Sequence, residues 1–167
     1  ASPAPAEVVT SSSNGFHVRH TVQLVVPVPN SYDSFGRIGS WWSDEHTYSG
    51  SAANLSLSLT PGGCFCERLP DGGGVEHMRV SYVKPHEEVL LTGALGPLLY
   101  LATAGVMDVK FERIAGGSRI TLNYRAAGFA KGGGAAMAPL VDQVLAEQLK
   151  RYRVFAAGAP KPDTLRP

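Results

Sequence analysis

The chain has 167 residues, with Lys+Arg 15 against Asp+Glu 14 and a formal net charge of +1. This length suits one domain, large enough to bury roughly 70% of its unfolded surface without metal or disulfide staples. The balanced charge excludes a nucleic-acid binder that works through bulk positive charge, and a charged fraction of 17%, below the usual value of about 25%, fits a chain with an apolar cavity or contact face.

In chain order, residues 1–15 read as a flexible arm. The opening Ala1-Ser2-Pro3-Ala4-Pro5-Ala6 is of the small, Pro-rich kind found after a signal-peptidase cut. The expectation is an exported, periplasmic protein, with the cytoplasm as the alternative. From Phe16 the pattern alternates: Phe16, Val18, His20, Val22, Leu24 and Val26 share one face, and His17, Arg19, Thr21 and Gln23 the other. That is a half-buried strand. Pro27 and Pro29 end it, and Asn30 is placed to cap a short helix carrying Tyr32, Phe35 and Ile38 towards Trp41-Trp42.

Strands follow. Leu55, Leu57 and Leu59 alternate with serines, and the segments 64–69, 75–83, 88–94, 104–114 and 118–126 are separated by glycine-rich turns. Asp71-Gly72-Gly73-Gly74 is the clearest hairpin signal among them. The uncharged stretch Val89–Met107 approaches membrane-spanning length. Gly93, Gly96, Pro97 and Gly105 interrupt it, so it reads as a strand, an apolar loop and the start of a second strand, with no transmembrane segment. After Gly132-Gly133-Gly134 the period changes. Met137, Leu140, Val141, Val144, Leu145, Gln148, Leu149 and Tyr152 recur at helical spacing, and 158–167 reads as a flexible tail. One domain over 16–157 is therefore expected, of class α+β. A curved antiparallel sheet of about seven strands wraps a long C-terminal helix, whose single apolar stripe cannot fill the space beside it.

Several segments resemble, in their order along the chain, the START/Bet v 1-like helix-grip superfamily known as SRPBCC, and within it the polyketide-cyclase-like bacterial branch. They are Val26-Pro27-Val28-Pro29, Trp41-Trp42-Ser43, Pro61-Gly62-Gly63-Cys64-Phe65-Cys66-Glu67, Val80-Ser81-Tyr82-Val83-Lys84-Pro85 and Gly116-Gly117-Ser118-Arg119-Ile120-Thr121-Leu122. The resemblance implies a helix-grip fold with a deep apolar pocket. It implies no single activity, since the superfamily holds carriers, receptors, cyclases and co-chaperones, and function has to be argued from the site.

The expected occupant is a small hydrophobic or aromatic molecule of lipid, sterol, polyketide or phenolic type. Its lining is expected from Trp41 and Trp42, from Tyr82, Met107, Phe111 and Tyr124 on strands, from Leu95, Leu98 and Tyr100 in the uncharged loop, and from Met137, Val141 and Leu145 on the last helix. The alternative is a cyclase, lyase or hydrolase that needs no cofactor, with His20, His46, Glu67 or Tyr124 as general acid or base. A co-chaperone-like interaction module is a third reading, and it would need a filled interior. His20 is either a satisfied core histidine or a polar handle for a ligand. His77 and Arg79 alternate with Met78, Val80 and Tyr82, which puts His77 on the solvent face; a base beside a Cys66 thiol is its other reading. Cys64 and Cys66 lie too far apart on a flat strand for a bridge and lack zinc-like spacing, so no metal and no cofactor are expected. There is no nucleotide motif, no nucleic-acid partner is expected, and the oligomeric state is left unspecified.

Overall fold

The computed structural model describes residues 7–128 and 132–158. Eight strands form one antiparallel sheet: β1 (Glu7–Ser11), β2 (Gly15–Leu24), β3 (Leu55–Leu57), β4 (Cys64–Arg68), β5 (Gly74–Lys84), β6 (Glu88–Thr92), β7 (Thr103–Ile114) and β8 (Gly117–Gly128). Their spatial order is β1-β2-β8-β7-β6-β5-β4-β3. The helices are α1 (Val28–Gly36) and α2 (Gly133–Gly158), with single helical turns between α1 and β3 and at Gly96–Tyr100. This is the expected α+β helix-grip arrangement with eight strands rather than seven.

The extra strand is β1, inside the segment expected to be a loose arm. It pairs with β2, and all five of its residues are exposed. An edge strand with two wet faces has no hydrophobic alternation to betray it. Residues 1–6 and 159–167, which carry the rest of the expected arm and nearly all of the expected tail, lie outside the described residues.

The alternation in β2 and β8 does what the pattern implies. Val18, His20 and Val22 stand opposite Tyr124, Leu122 and Ile120, and this face is buried under α2. Each fully buried large apolar side chain contributes about 1.5–3 kcal/mol. The β4–β5 hairpin closes through Asp71 at φ 58° and Gly72 at φ 80°, both in the left-handed region that a type I′ turn requires. The Gly73 N–H donates to the Pro70 carbonyl at 3.1 Å to complete it. Asn30 does not cap α1: the helix starts two residues earlier after Pro27, and Pro29 sits in its first turn, where its missing N–H costs nothing.

Three side chains of α2 clasp α1 and the segment that follows it. Tyr152 donates to the Ser31 carbonyl at 2.6 Å, Arg151 to the Trp41 carbonyl at 2.9 Å, and Gln148 accepts the Ser43 N–H at 2.8 Å. Among the described residues no helix is long and apolar enough to cross a membrane.

Candidate functional site

Beneath the first half of α2 the groove between helix and sheet is not filled. A cavity of about 370 Å³ lies there, within the size range of small-molecule sites. Its walls come from Met137, Val141, Val144 and Leu145 of α2, Phe65 of β4, His77 of β5, Trp42, Leu55, the segment Glu45–Tyr48, and Leu95–Pro97 with Tyr100. The carbon-rich wall carries few polar groups, and none of its residues is Lys or Arg. A broader depression of about 930 Å³ crosses the outer face of the sheet past His17, Glu76, Arg79 and Arg125; its lining is more polar.

His77, on the cavity wall, forms a buried pair with Glu67; the two are 6% and 2% exposed. Glu67 follows Phe65 by two residues on β4, so both point inward. Its carboxylate accepts the Tyr48 N–H at 3.1 Å, the Ser49 N–H at 2.7 Å and His77 Nε2 at 3.0 Å. Burial alone would raise the Glu67 carboxyl. The hydrogen bonds from Tyr48, the His77 ring and Ser49 outweigh it and hold the group below its ordinary range. An ionised carboxylate only accepts, so Nε2 of His77 is the donor in this pair, and in the neutral ring Nδ1 then keeps its lone pair. Tyr48 stacks on the imidazole with ring centroids 5.6 Å apart and planes at 22°, and its hydroxyl donates to the Gly96 carbonyl at 2.9 Å.

His77 corrects the expectation that it faces solvent. Phe65 pairs with Met78 and Cys66 with Glu76, which leaves His77 as the extra residue of a β-bulge. The bulge puts His77 and Met78 both inside. A second irregularity in the same strand, between Val80 and Tyr82, has the opposite effect. Tyr82 turns to the outer face, 47% exposed, and does not line the cavity as expected.

The other titratable candidates are spread out. His46 lies on the cavity wall near its mouth, with Nε2 3.1 Å from Glu147 of α2. Glu67 acts from behind His77 and is not itself on the wall. His20 is on the inner face, with Nε2 3.0 Å from Asp142 of α2, and does not reach the cavity; it is a core histidine. Burial lowers its pKa, with the Asp142 charge and hydrogen bond opposing in part. Tyr124 is fully buried, and its pKa is pushed up to about 12 by burial, against the hydrogen bond from Leu95. Its hydroxyl donates to the Gly93 carbonyl at 3.1 Å and accepts the Leu95 N–H at 3.0 Å. It anchors the root of the 96–100 turn and is neither an acid–base group facing the cavity nor part of its lining.

Trp42, Leu95, Tyr100, Met137, Val141 and Leu145 do lie on the cavity wall. Trp41, Leu98, Met107 and Phe111 are packed core instead. Trp41 sits 5.2 Å from the Tyr152 ring and Phe111 5.8 Å from that of Phe35. An inward direction was legible for Met107, Phe111 and Tyr124; their position along the groove was not. Cys64 and Cys66 are joined as a disulfide with Cα atoms 5.3 Å apart, closer than the spacing of a flat strand. Cys66 therefore offers no thiol for His77 to activate.

No family model and no curated protein matches the chain. Solved structures do. A protein of Rhizobium leguminosarum aligns over 89% of this chain and 98% of its own, at 18% identity and a TM-score of 0.62. Protein CV1439 of Chromobacterium violaceum aligns over 86% and 98%, at 13% identity and 0.61. DynU16, from the dynemicin biosynthetic locus, aligns over 85% of this chain and 47% of its own, at 16% identity and 0.60. At these identities the likeness is one of fold: the curved antiparallel sheet closed by a C-terminal helix.

Proposed function

We propose that this protein binds a small apolar or aromatic molecule in the cavity beneath α2. The observation that carries the reading is the cavity itself, about 370 Å³ of space walled mostly by carbon, with polar groups confined to the His77 end and the His46 rim. The resemblance to the SRPBCC superfamily supports it, and the structural likeness to a dynemicin-locus protein is compatible with a polyketide-like aromatic occupant. The unfilled interior weighs against the co-chaperone-like reading.

The test is native mass spectrometry of the freshly purified chain together with titration of a fluorescent apolar probe, in the wild type and in Val144→Phe. Val144 faces the cavity from α2, so a phenyl ring there occupies the ligand's space. Retained small molecules or saturable probe binding, reduced at least about tenfold by the substitution, are expected. A wild type that neither retains a compound nor binds the probe overturns the reading.

A second reading has one observation in its favour. The Glu67–His77 pair is a carboxylate-oriented imidazole on the wall of an apolar cavity, and in its neutral form the ring can serve as a general base through Nδ1. A cofactor-independent cyclase, lyase or hydrolase would use it. Turnover abolished in His77→Leu with ligand affinity largely kept would favour this reading over a carrier.

A further inference from the structure

His77 also bears on what kind of molecule the cavity takes. Its Nε2–H is committed to Glu67 at 3.0 Å, and that is the one side-chain hydrogen bond His77 makes among the described residues. The ring lies on the cavity wall, its orientation is held by a buried carboxylate, and in the neutral form its Nδ1 is an acceptor.

The surrounding charge narrows the choice. Among the described residues the wall has no Lys or Arg, while Glu45 stands on it, Glu147 is bonded to His46 beside it, and Glu67 lies behind His77. A carboxylate, sulfate or phosphate would enter a site that is already negative and that, among the described residues, offers no counter-charge. An ammonium would lose its water without gaining a free carboxylate oxygen at the deep end, because the Glu67 oxygens already accept from Tyr48, Ser49 and His77. A neutral O–H has neither penalty. We propose that the ligand is an uncharged apolar or aromatic molecule with a phenolic or enolic hydroxyl, and that this hydroxyl donates to Nδ1 of His77. The inference rests on the cavity-binding reading above and adds the ligand class and the residue that selects it.

The test uses the full chain and three probes with the same fused ring: 2-naphthol, its methyl ether 2-methoxynaphthalene, and 2-naphthoate. In the wild type, naphthol should bind about tenfold more tightly than the ether, as expected for one added hydrogen bond in an apolar setting, and naphthoate most weakly. By ¹⁵N NMR, His77 should be the Nε2–H tautomer, and its Nδ1 resonance should move with naphthol and stay in place with the ether. In His77→Leu the naphthol and ether affinities should converge while the ether still binds. Equal wild-type affinities with an unmoved Nδ1 signal, a tautomer protonated at Nδ1, or a preference for naphthoate would overturn this inference and leave the cavity reading standing. If none of the three probes binds, the cavity reading falls and this inference with it.

Discussion

The two ends of the groove under α2 are built from the same elements and differ in what fills them. At the C-terminal end, Tyr152 meets Trp41 and Phe35, and Phe35 meets Phe111, all with ring centroids 5.2–5.8 Å apart. At the N-terminal end, α2 presents Met137, Val141, Val144 and Leu145, and the space opposite them stays open. Rings projecting from both sides fill the gap between helix and sheet at one end; at the other, α2 offers only aliphatic side chains and the gap stays open. The cavity is thus a local result of side-chain length along one helix, while the backbone architecture is continuous through both ends.

The comparison can be broken most severely at the filled end. Trp41→Ala removes a ring that is 3% exposed and should cost about 3–5 kcal/mol, read as a lowered midpoint in urea; a loss below about 1 kcal/mol would mean that this end is not the molecule's anchor. Next in size is Gly105→Ala. A Cβ there would meet the Gly93 carbonyl and lie 2.7 Å from the Tyr124 hydroxyl, so a loss of about 1–3 kcal/mol is expected, with reduced probe binding as the 96–100 turn loses its anchor.

Acid should act in two steps. The folded-state pKa of His20 lies below its ordinary value of 6.5, so the unfolded chain takes up that proton first. Stability should be full above pH 6.5 and decline as pH falls below it. Glu67 is held below its ordinary value of 4.5, so a second loss should begin near pH 4.5 and deepen as the folded-state carboxyl protonates. Urea midpoints between pH 8 and 3.5 report both, and His20→Gln should remove only the first. The smallest effect is expected at the open end. Val144→Phe, which should weaken binding at least about tenfold, should move stability by less than about 1 kcal/mol, because the added ring enters empty space rather than a packed core.

Much of this was legible in the sequence, for reasons that differ by element. The two-residue alternation of β2 and β8, the Asp71-Gly72 turn and the 3.6-residue period of α2 each carry a physical signal that tertiary contacts did not override. The helix and loop contributors to the cavity followed from that. The β5 bulges did not, because an extra residue in a ladder is a property of two paired strands and no single-strand pattern reports it; hence His77 and Tyr82 exchanged their expected faces. The Glu67–His77 pair had one available clue. Phe65 and Glu67 share a face, and a carboxylate next to a core phenylalanine needs donors nearby.

Glu67 joins three parts of the molecule that are otherwise separate: the Tyr48–Ser49 backbone, strand β4 and the imidazole of β5. A single side chain therefore bears on both the contour of the chamber and the aim of the His77 imidazole. Replacing it would disturb shape and chemistry together, and mutagenesis can disentangle the two only by acting on the ring.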